Sequence, residues 1–298
     1  MPIYTNKKGL SASWVRAAQK ADEEYDSVGW HSVTTLADSP RYKLLQKRHD
    51  KEITVDVSEA IFQLLGSAVH YILEMSAEPN VITEQRITVP ILGKEISMKA
   101  DRIEPIPDTH PLQYWGKDYK ITKVWAWKHG AKETQIAQAN FYRYGYTKAM
   151  NLNITKWSLE MLLRDWSKLE AEVKHTDGYP GSEVEPIAVP LWSLDYCYET
   201  LCNRVKLYKQ CEELHDDDLP PCSEIERWAR PEKWAVKKQD GVKALRVYST
   251  ETQAKDDASK RGYACNIEHR PCQNVRCDSY CNARPFCNQA NGKLIDPF

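Results

Sequence analysis

Hydrophobic and polar positions alternate with a period of two in Ile82–Val89, Gln113–Thr122 and Ile154–Leu163, so each stretch reads as a strand with one face turned inward. Leu92-Gly93-Lys94 turns the first back on itself, and the returning strand Glu95–Glu104 passes through Asp101. A shorter strand is expected near Pro186–Leu191. Residues 55–75, VDVSEAIFQLLGSAVHYILEM, follow a helical period instead, with Ile61, Leu64, Leu65, Ala68 and Ile72 on one stripe. His70 lies opposite that stripe, in line with Glu59, Gln63, Gly66 and Glu74. Further helices are expected in the second part of VWAWKHGAKETQIAQANFYRYGYTKAM and from about Ser193 to Glu213. The latter carries Cys197, Cys202 and Cys211, whose spacing does not gather them on one face, so they read as buried or incidental thiols. The first fifty residues look helical and peripheral, with Ser39-Pro40 as punctuation. PIPDTHPL is a loop, and HDDDLPP marks a boundary whose acidic run reads as a solvated linker. The expected organisation is an N-terminal helical segment (1–50), a core (51–214) and a C-terminal lobe (215–298).

A chain of 298 residues, 42% hydrophobic, can bury a sizeable core. No apolar run approaches the roughly 20 residues that span a bilayer. MPIYTNKKGLSASW lacks an apolar signal region, so a cytoplasmic location is expected. A net charge of −1 excludes general attraction to nucleic acid, and any such binding must use a local patch. Nine cysteines crowd towards the C-terminus, which in a reducing compartment favours metal or cluster ligation over disulfides.

Along a strand Asp118 and Lys120 point the same way, about 7 Å apart. With Asp101 from the neighbouring strand they form a small charged cluster. Two carboxylates can hold a hard divalent ion, and a lysine beside them can orient a water or neutralise a phosphate. Upstream, Gly66 precedes His70 by one helical turn and leaves room to approach the imidazole. Downstream, Gln138 and Tyr142 stand at i,i+4 on one helix face. Lys117, Lys123, Lys128, His129 and Lys132 interleave with Trp115, Trp125 and Trp127, which either offer stacking surfaces to a nucleic acid or belong to the core. The segment between Cys222 and Cys277 is also locally basic, with Lys233, Lys237, Lys238, Lys243 and Arg246, and reads as a hairpin and a helix.

The order GxxxH, Asp, DxK, QxxxY resembles the PD-(D/E)XK nucleases, specifically their RecB-like branch. The resemblance implies an α/β restriction-endonuclease-like core, a mixed sheet flanked by helices. It implies Mg²⁺ or Mn²⁺ held by His70, Asp101, Asp118 and the Tyr119 carbonyl, with Asp101, Asp118 and Lys120 catalytic. Gln138, Tyr142, Lys123 and Lys132 would contact DNA. The implied activity is DNA cleavage, most readily exonucleolytic, in recombination, repair or phage DNA processing. A structure-specific endonuclease and a DNA-binding accessory protein with an inactive site are the alternatives. The resemblance covers roughly Ser32–Trp166 and Pro220–Gln289. The chain departs from it at Met98, where a glycine is common, and at Ser39-Pro40, where a Cys-Pro often supplies a cluster ligand.

Cys277, Cys281 and Cys287 form C-x3-C-x5-C, and a fourth thiolate could come from Cys222, Cys272 or Cys265. One distant cysteine followed by a tight trio resembles the iron–sulfur members of the branch, which favours Cys222 and a 4Fe-4S cluster. Structural Zn²⁺ stays the alternative, although its usual C-x2-C pairs are absent. The layout also resembles phage-encoded members, which would place the protein in a host cytoplasm, as a homo-oligomer or beside a single-strand-annealing recombination partner.

Overall fold

The computed structural model describes residues 1–23, 28–174 and 178–292. It is a mixed α/β structure with several sheets flanked by helices. The central sheet has five strands in the order Val184–Ala188, Ile154–Leu163, Gln113–Thr122, Arg102–Ile106, Ile82–Thr83. Within it, Gln113–Thr122 runs parallel to Ile154–Leu163, with Asp118 opposite Leu159, and the other pairings are antiparallel. A parallel pair needs a crossover. The helix Glu133–Met150 supplies it.

The anticipated hairpin is present, but each of its arms is broken. Arg86–Ile91 and Lys94–Lys99 pair antiparallel in a separate three-stranded sheet, with His31–Ser32 added in parallel. Leu92 and Gly93 turn the chain at φ of 49° and 75°, the left-handed pair that a tight hairpin needs. The single return strand expected through Asp101 is two strands, because the chain crosses between sheets at Ala100-Asp101. The other arm breaks at Glu84, which has a φ of 48°. The two breaks are tied to each other, since the Glu84 amide donates to the Asp101 carbonyl at 3.2 Å.

The crossover helix is buried on nearly every side, with Ala139, Phe141, Tyr142, Tyr144 and Tyr146 all inside. Burial on all sides removes the amphipathic stripe of a surface helix, and the polar side chains it carries must then be satisfied internally. Asn140 donates to the carbonyls of Ile136 and Pro190 and accepts from the Trp192 amide, while Arg143 donates to the carbonyls of Ile154 and Trp192. Gly145 and Met98 are a small-and-large pair, because a Cβ on Gly145 would meet the Met98 sulfur at 2.0 Å.

Three expectations need correction. The first fifty residues are not peripheral. The short helices Val33–Leu36 and Pro40–Arg48 pack on Leu194–Glu212, and Val33, Leu36, Leu44 and Leu45 lie in the main core. Strand Ile3–Thr5 also pairs with Thr54–Asp56, so this segment is not wholly helical. Second, the apolar stripe of the helix Val57–Met75 stays out of the main core: Leu65 is 42% and Ile72 64% exposed, and Leu64 packs on a small separate cluster of Ala18, Val57 and Ala60. On the opposite face Glu59, Gln63 and Glu74 are exposed as well, while His70 is held, bonded to Glu84 and to the Tyr119 carbonyl. Third, the acidic run is no free linker. Asp216 pairs with Arg48 at 2.7 Å and His49 at 2.6 Å, and the Asp217 carbonyl accepts from Arg41.

The long helix Leu194–Glu212 buries Cys197, Cys202 and Cys211. Beyond Cys222 the expected hairpin and helix are present: strands Lys233–Lys238 and Ala244–Tyr248, joined in one sheet by Cys265–Arg270, with helix Glu251–Ser259 packed on them. No described helix is long and apolar enough to cross a membrane.

The fit of the central strand is directly testable. A Cβ on Gly116 would meet the ring of the buried Trp157 at 2.2 Å, whereas a Cβ on Gly262 meets nothing within 4 Å. Gly116→Ala should therefore cost about 1–3 kcal/mol in denaturant unfolding, as overpacked sites do. Gly262→Ala should leave the unfolding midpoint unchanged.

Candidate active site

The two chain breaks and the central strand meet at one corner. His70 directs Nδ1 at Glu84 Oε1 (3.1 Å) and Asp101 Oδ1 (3.7 Å). Its Nε2 faces the Tyr119 carbonyl at 3.2 Å. Asp101 is fixed from the other side, where its Oδ2 accepts the Tyr119 amide at 2.7 Å. One ligand atom from each of His70, Glu84 and Asp101 falls within 4.8 Å of the others. Asp118 is buried beside them and pairs with Lys120, as the alternation along the strand predicted. Gly66 is open as expected, since a Cβ there would meet nothing within 4 Å.

Charge is concentrated in this corner. Burial, reinforced by the Asp118 carboxylate, pushes Asp101 up to about 7. Burial would depress the Lys120 ammonium, but Asp118 and Asp101 outweigh it and raise its pKa. The hydrogen bond to Glu84 raises His70, helped by Asp101. Two carboxylates and an imidazole converging on one point, with one carboxylic acid reluctant to ionise, match a hard divalent cation with mixed oxygen and nitrogen ligands.

The corner opens into a cleft of about 550 Å³, lined also by Ser32, Thr34, Gly66, Gln138 and Tyr142. Gln138 Nε2 donates to both Tyr142 Oη and Thr34 Oγ1 at 3.0 Å, so the QxxxY pair forms a bonded wall of the cleft. Tyr142 itself is 5% exposed. Glu84 was missed by the sequence reading. Its signal was faint: a carboxylate interrupting an otherwise alternating strand.

The basic side chains singled out from the sequence are mostly engaged. Lys117 pairs with Glu104 at 2.6 Å and lies over Trp115, and Lys132 lies over Trp228 at 4.4 Å. Lys237 pairs with Glu268, while Lys238 and Arg246 lie over Tyr263 and Tyr248. Lys123 is exposed at the start of the helix Val124–Lys128. Of the tryptophans there, Trp127 packs against the core and Trp125 is 60% exposed. A second hollow, of about 750 Å³, shares Ser32, Arg86 and Ser97 with the cleft and is lined by Lys43 and Lys47.

Cys222, Cys277, Cys281 and Cys287 are brought into one neighbourhood. Burial pushes the Cys222 thiol up to about 11, with Glu226, Cys287 and Cys277 adding to it. Burial likewise raises Cys277 and Cys281, both further raised by Cys287. No three of these sulfurs lie within 4.8 Å of one another. Cys272 is exposed, and Cys265 pairs with Lys238 in the three-stranded sheet.

No protein-family model and no curated protein matches the sequence. Among solved structures, "Crystal structure of SSO0001" aligns with 65% of this chain and 84% of its own, at 14% identity and a TM-score of 0.43.

Mn²⁺ added to the protein should raise its melting temperature, and Glu84→Gln or Asp101→Asn should each remove most of that rise. Because Asp101 must lose its proton to bind a cation, Mn²⁺ affinity measured by calorimetry should fall as pH drops below about 7. Asp101 alone predicts up to tenfold per pH unit, and His70, whose pKa is also raised and which must be neutral to bind, steepens the fall. A flat profile from pH 5 to 8 would contradict this ligand set.

Proposed function

We propose that the chain is a metal-dependent deoxyribonuclease of the PD-(D/E)XK type, RecB-like branch, acting as an exonuclease. The observation that carries this reading is the meeting of His70, Glu84, Asp101, Asp118 and Lys120 in one cleft, although they come from separate elements. His70, Glu84 and Asp101 would hold Mg²⁺ or Mn²⁺, with Asp118 and the Tyr119 carbonyl at its border. Such an ion, when bound, polarises a phosphodiester and lowers the pKa of a water. The protein supplies the rest. Lys120, kept protonated by Asp118 and Asp101, holds a positive charge where the negative charge of the phosphoryl transition state would develop. Gln138, Tyr142 and Thr34 form a fixed wall that orients the strand. The adjoining hollow, with Lys43 and Lys47, gives a polynucleotide room to continue beyond the scissile bond.

The C-terminal cysteines fit a structural centre that fastens residues 222–290 to the core. Zinc, with Zn–S near 2.3 Å, would draw its four sulfurs to roughly 3.8 Å from one another. A 4Fe-4S cluster, whose terminal ligands stand further apart, is the reading supported by one distant cysteine followed by a tight trio, and zinc is the alternative.

The deciding experiment incubates purified protein with end-labelled linear and circular DNA in Mg²⁺ or EDTA. Linear DNA should be degraded, circular DNA spared, and EDTA should stop the reaction. Asp101→Asn, Asp118→Asn and Lys120→Ala should each lose on the order of 10²–10⁴ in rate while staying folded. Full activity in either aspartate variant would sink the assignment.

Binding should also depend on salt if lysines follow the phosphate backbone. Lys43→Gln with Lys47→Gln should lower the slope of log affinity against log salt by roughly 1.4 for single-stranded DNA, about 0.7 per contact. An unchanged slope would remove the second hollow from the strand's path.

A further inference from the structure

Arg41 is 0% exposed. A buried guanidinium is costly unless an opposite charge lies within reach. Among the described residues no carboxylate pairs with it. Its donors go instead to the backbone carbonyls of Pro220, Leu219 and Asp217, to the side-chain amide oxygen of Asn288, and at 3.8 Å to Cys287 Sγ. Two other arginines in this seam have carboxylate partners. Arg276 meets Asp38 through both nitrogens, at 2.7 and 2.8 Å, and Arg48 meets Asp216. Two residues before Arg41, the buried Ser39 hydroxyl sits 3.1 Å from Cys222 Sγ. The Ser39-Pro40-Arg41 tripeptide thus places a hydroxyl on one sulfur of the thiol group and a cation on another.

We propose that Arg41 is the counter-charge of a metal–thiolate centre formed by Cys222, Cys277, Cys281 and Cys287. The inference rests on the reading of these cysteines as ligands. Four thiolates around Zn²⁺ or around a 4Fe-4S cluster leave net negative charge on the sulfurs. That charge is what the sealed guanidinium lacks. The centre and the cation then stabilise each other, and Arg41 ties the helix Pro40–Arg48 to the 217–220 and 287–288 segments that flank two of the ligands. Arg41 is a positioning residue for the centre and takes no part in strand cleavage.

This role separates from simple packing by its dependence on the metal. Arg41→Met removes the charge and keeps most of the volume. It should weaken Zn²⁺ binding, measured by chelator competition, by about 10- to 100-fold, the usual effect of losing a partner just outside the ligands. It should also lose iron sooner after anaerobic reconstitution with ferrous iron and sulfide. Stripped of metal, the same variant should lose less in melting temperature than it does when loaded, because the lost bonds to the Pro220, Leu219 and Asp217 carbonyls and Asn288 are common to both states and the lost charge pairing is not. Arg41→Lys should retain most of the metal affinity, and Asn288→Ala, which removes only a neutral partner, should retain all of it. Equal metal affinity in Arg41→Met and wild type would overturn the proposal, as would an equal drop in melting temperature with and without metal. If Arg41→Met does not accumulate folded, the other two variants decide: Asn288→Ala losing as much metal as Arg41→Lys would show a packing role. Wild-type protein that binds neither zinc nor an iron–sulfur cluster would refute the thiolate centre itself, and this inference with it.

Discussion

Asp101 and Asp118 lie buried and line one cleft, and Lys120, paired with Asp118, is the cation beside them. Two carboxylates removed from water repel each other more strongly than they would at a surface, and Asp101 registers the conflict by holding its proton towards neutrality. Such an arrangement is unfavourable for the fold considered alone. It persists because the backbone around it is over-determined: the Tyr119 amide binds Asp101, the Asp101 carbonyl binds the Glu84 amide, and His70 spans Glu84 and Tyr119. Residues that are locally disfavoured but firmly held are what functional sites are made of.

The same logic operates at the seam between the N-terminal helices and the C-terminal segment. Asp38, Ser39 and Arg41 present an anion, a hydroxyl and a cation in close succession, and each meets a residue more than 170 positions away. Burial of Leu219 and the pairing of Asp216 with Arg48 and His49 close the seam from the other side. His49 stacks on Phe286 at 4.0 Å, next to Cys287. A segment that looks like a polar connector is therefore tied to the core by charge pairs, backbone acceptors and buried apolar contacts together.

Much of this was legible in the residues. The strands Gln113–Thr122 and Ile154–Leu163 agree with the alternation residue for residue, and the helices Val57–Met75 and Leu194–Glu212 agree to within two residues. Asp118 with Lys120, and Gln138 with Tyr142, sit together because strand and helix periodicity are local properties. Three features were not legible. Glu84 joins His70 and Asp101 through two chain breaks in different strands, and pairing between breaks leaves no periodic trace. The exposure of the stripe on the His70 helix left no mark in the sequence, because hydrophobicity alone does not say what a face meets. The acidic run at 216–218 has the composition of a linker, and only tertiary partners make it part of the seam.

The crossover helix Glu133–Met150 connects these observations. It covers the central sheet, and its Tyr146 hydroxyl accepts the Ala100 amide while donating to the Gln85 carbonyl, the residues next to Asp101 and Glu84. One turn earlier its Tyr142 and Gln138 form the cleft wall, and Gly145 makes space for Met98 on the strand that leads into Asp101. Packing of the core and placement of the carboxylates are thus the same set of contacts. Met98 fills the space that Gly145 leaves open, so the strand leading into Asp101 lies close against the helix. The corner at Ala100-Asp101 is anchored there by Tyr146.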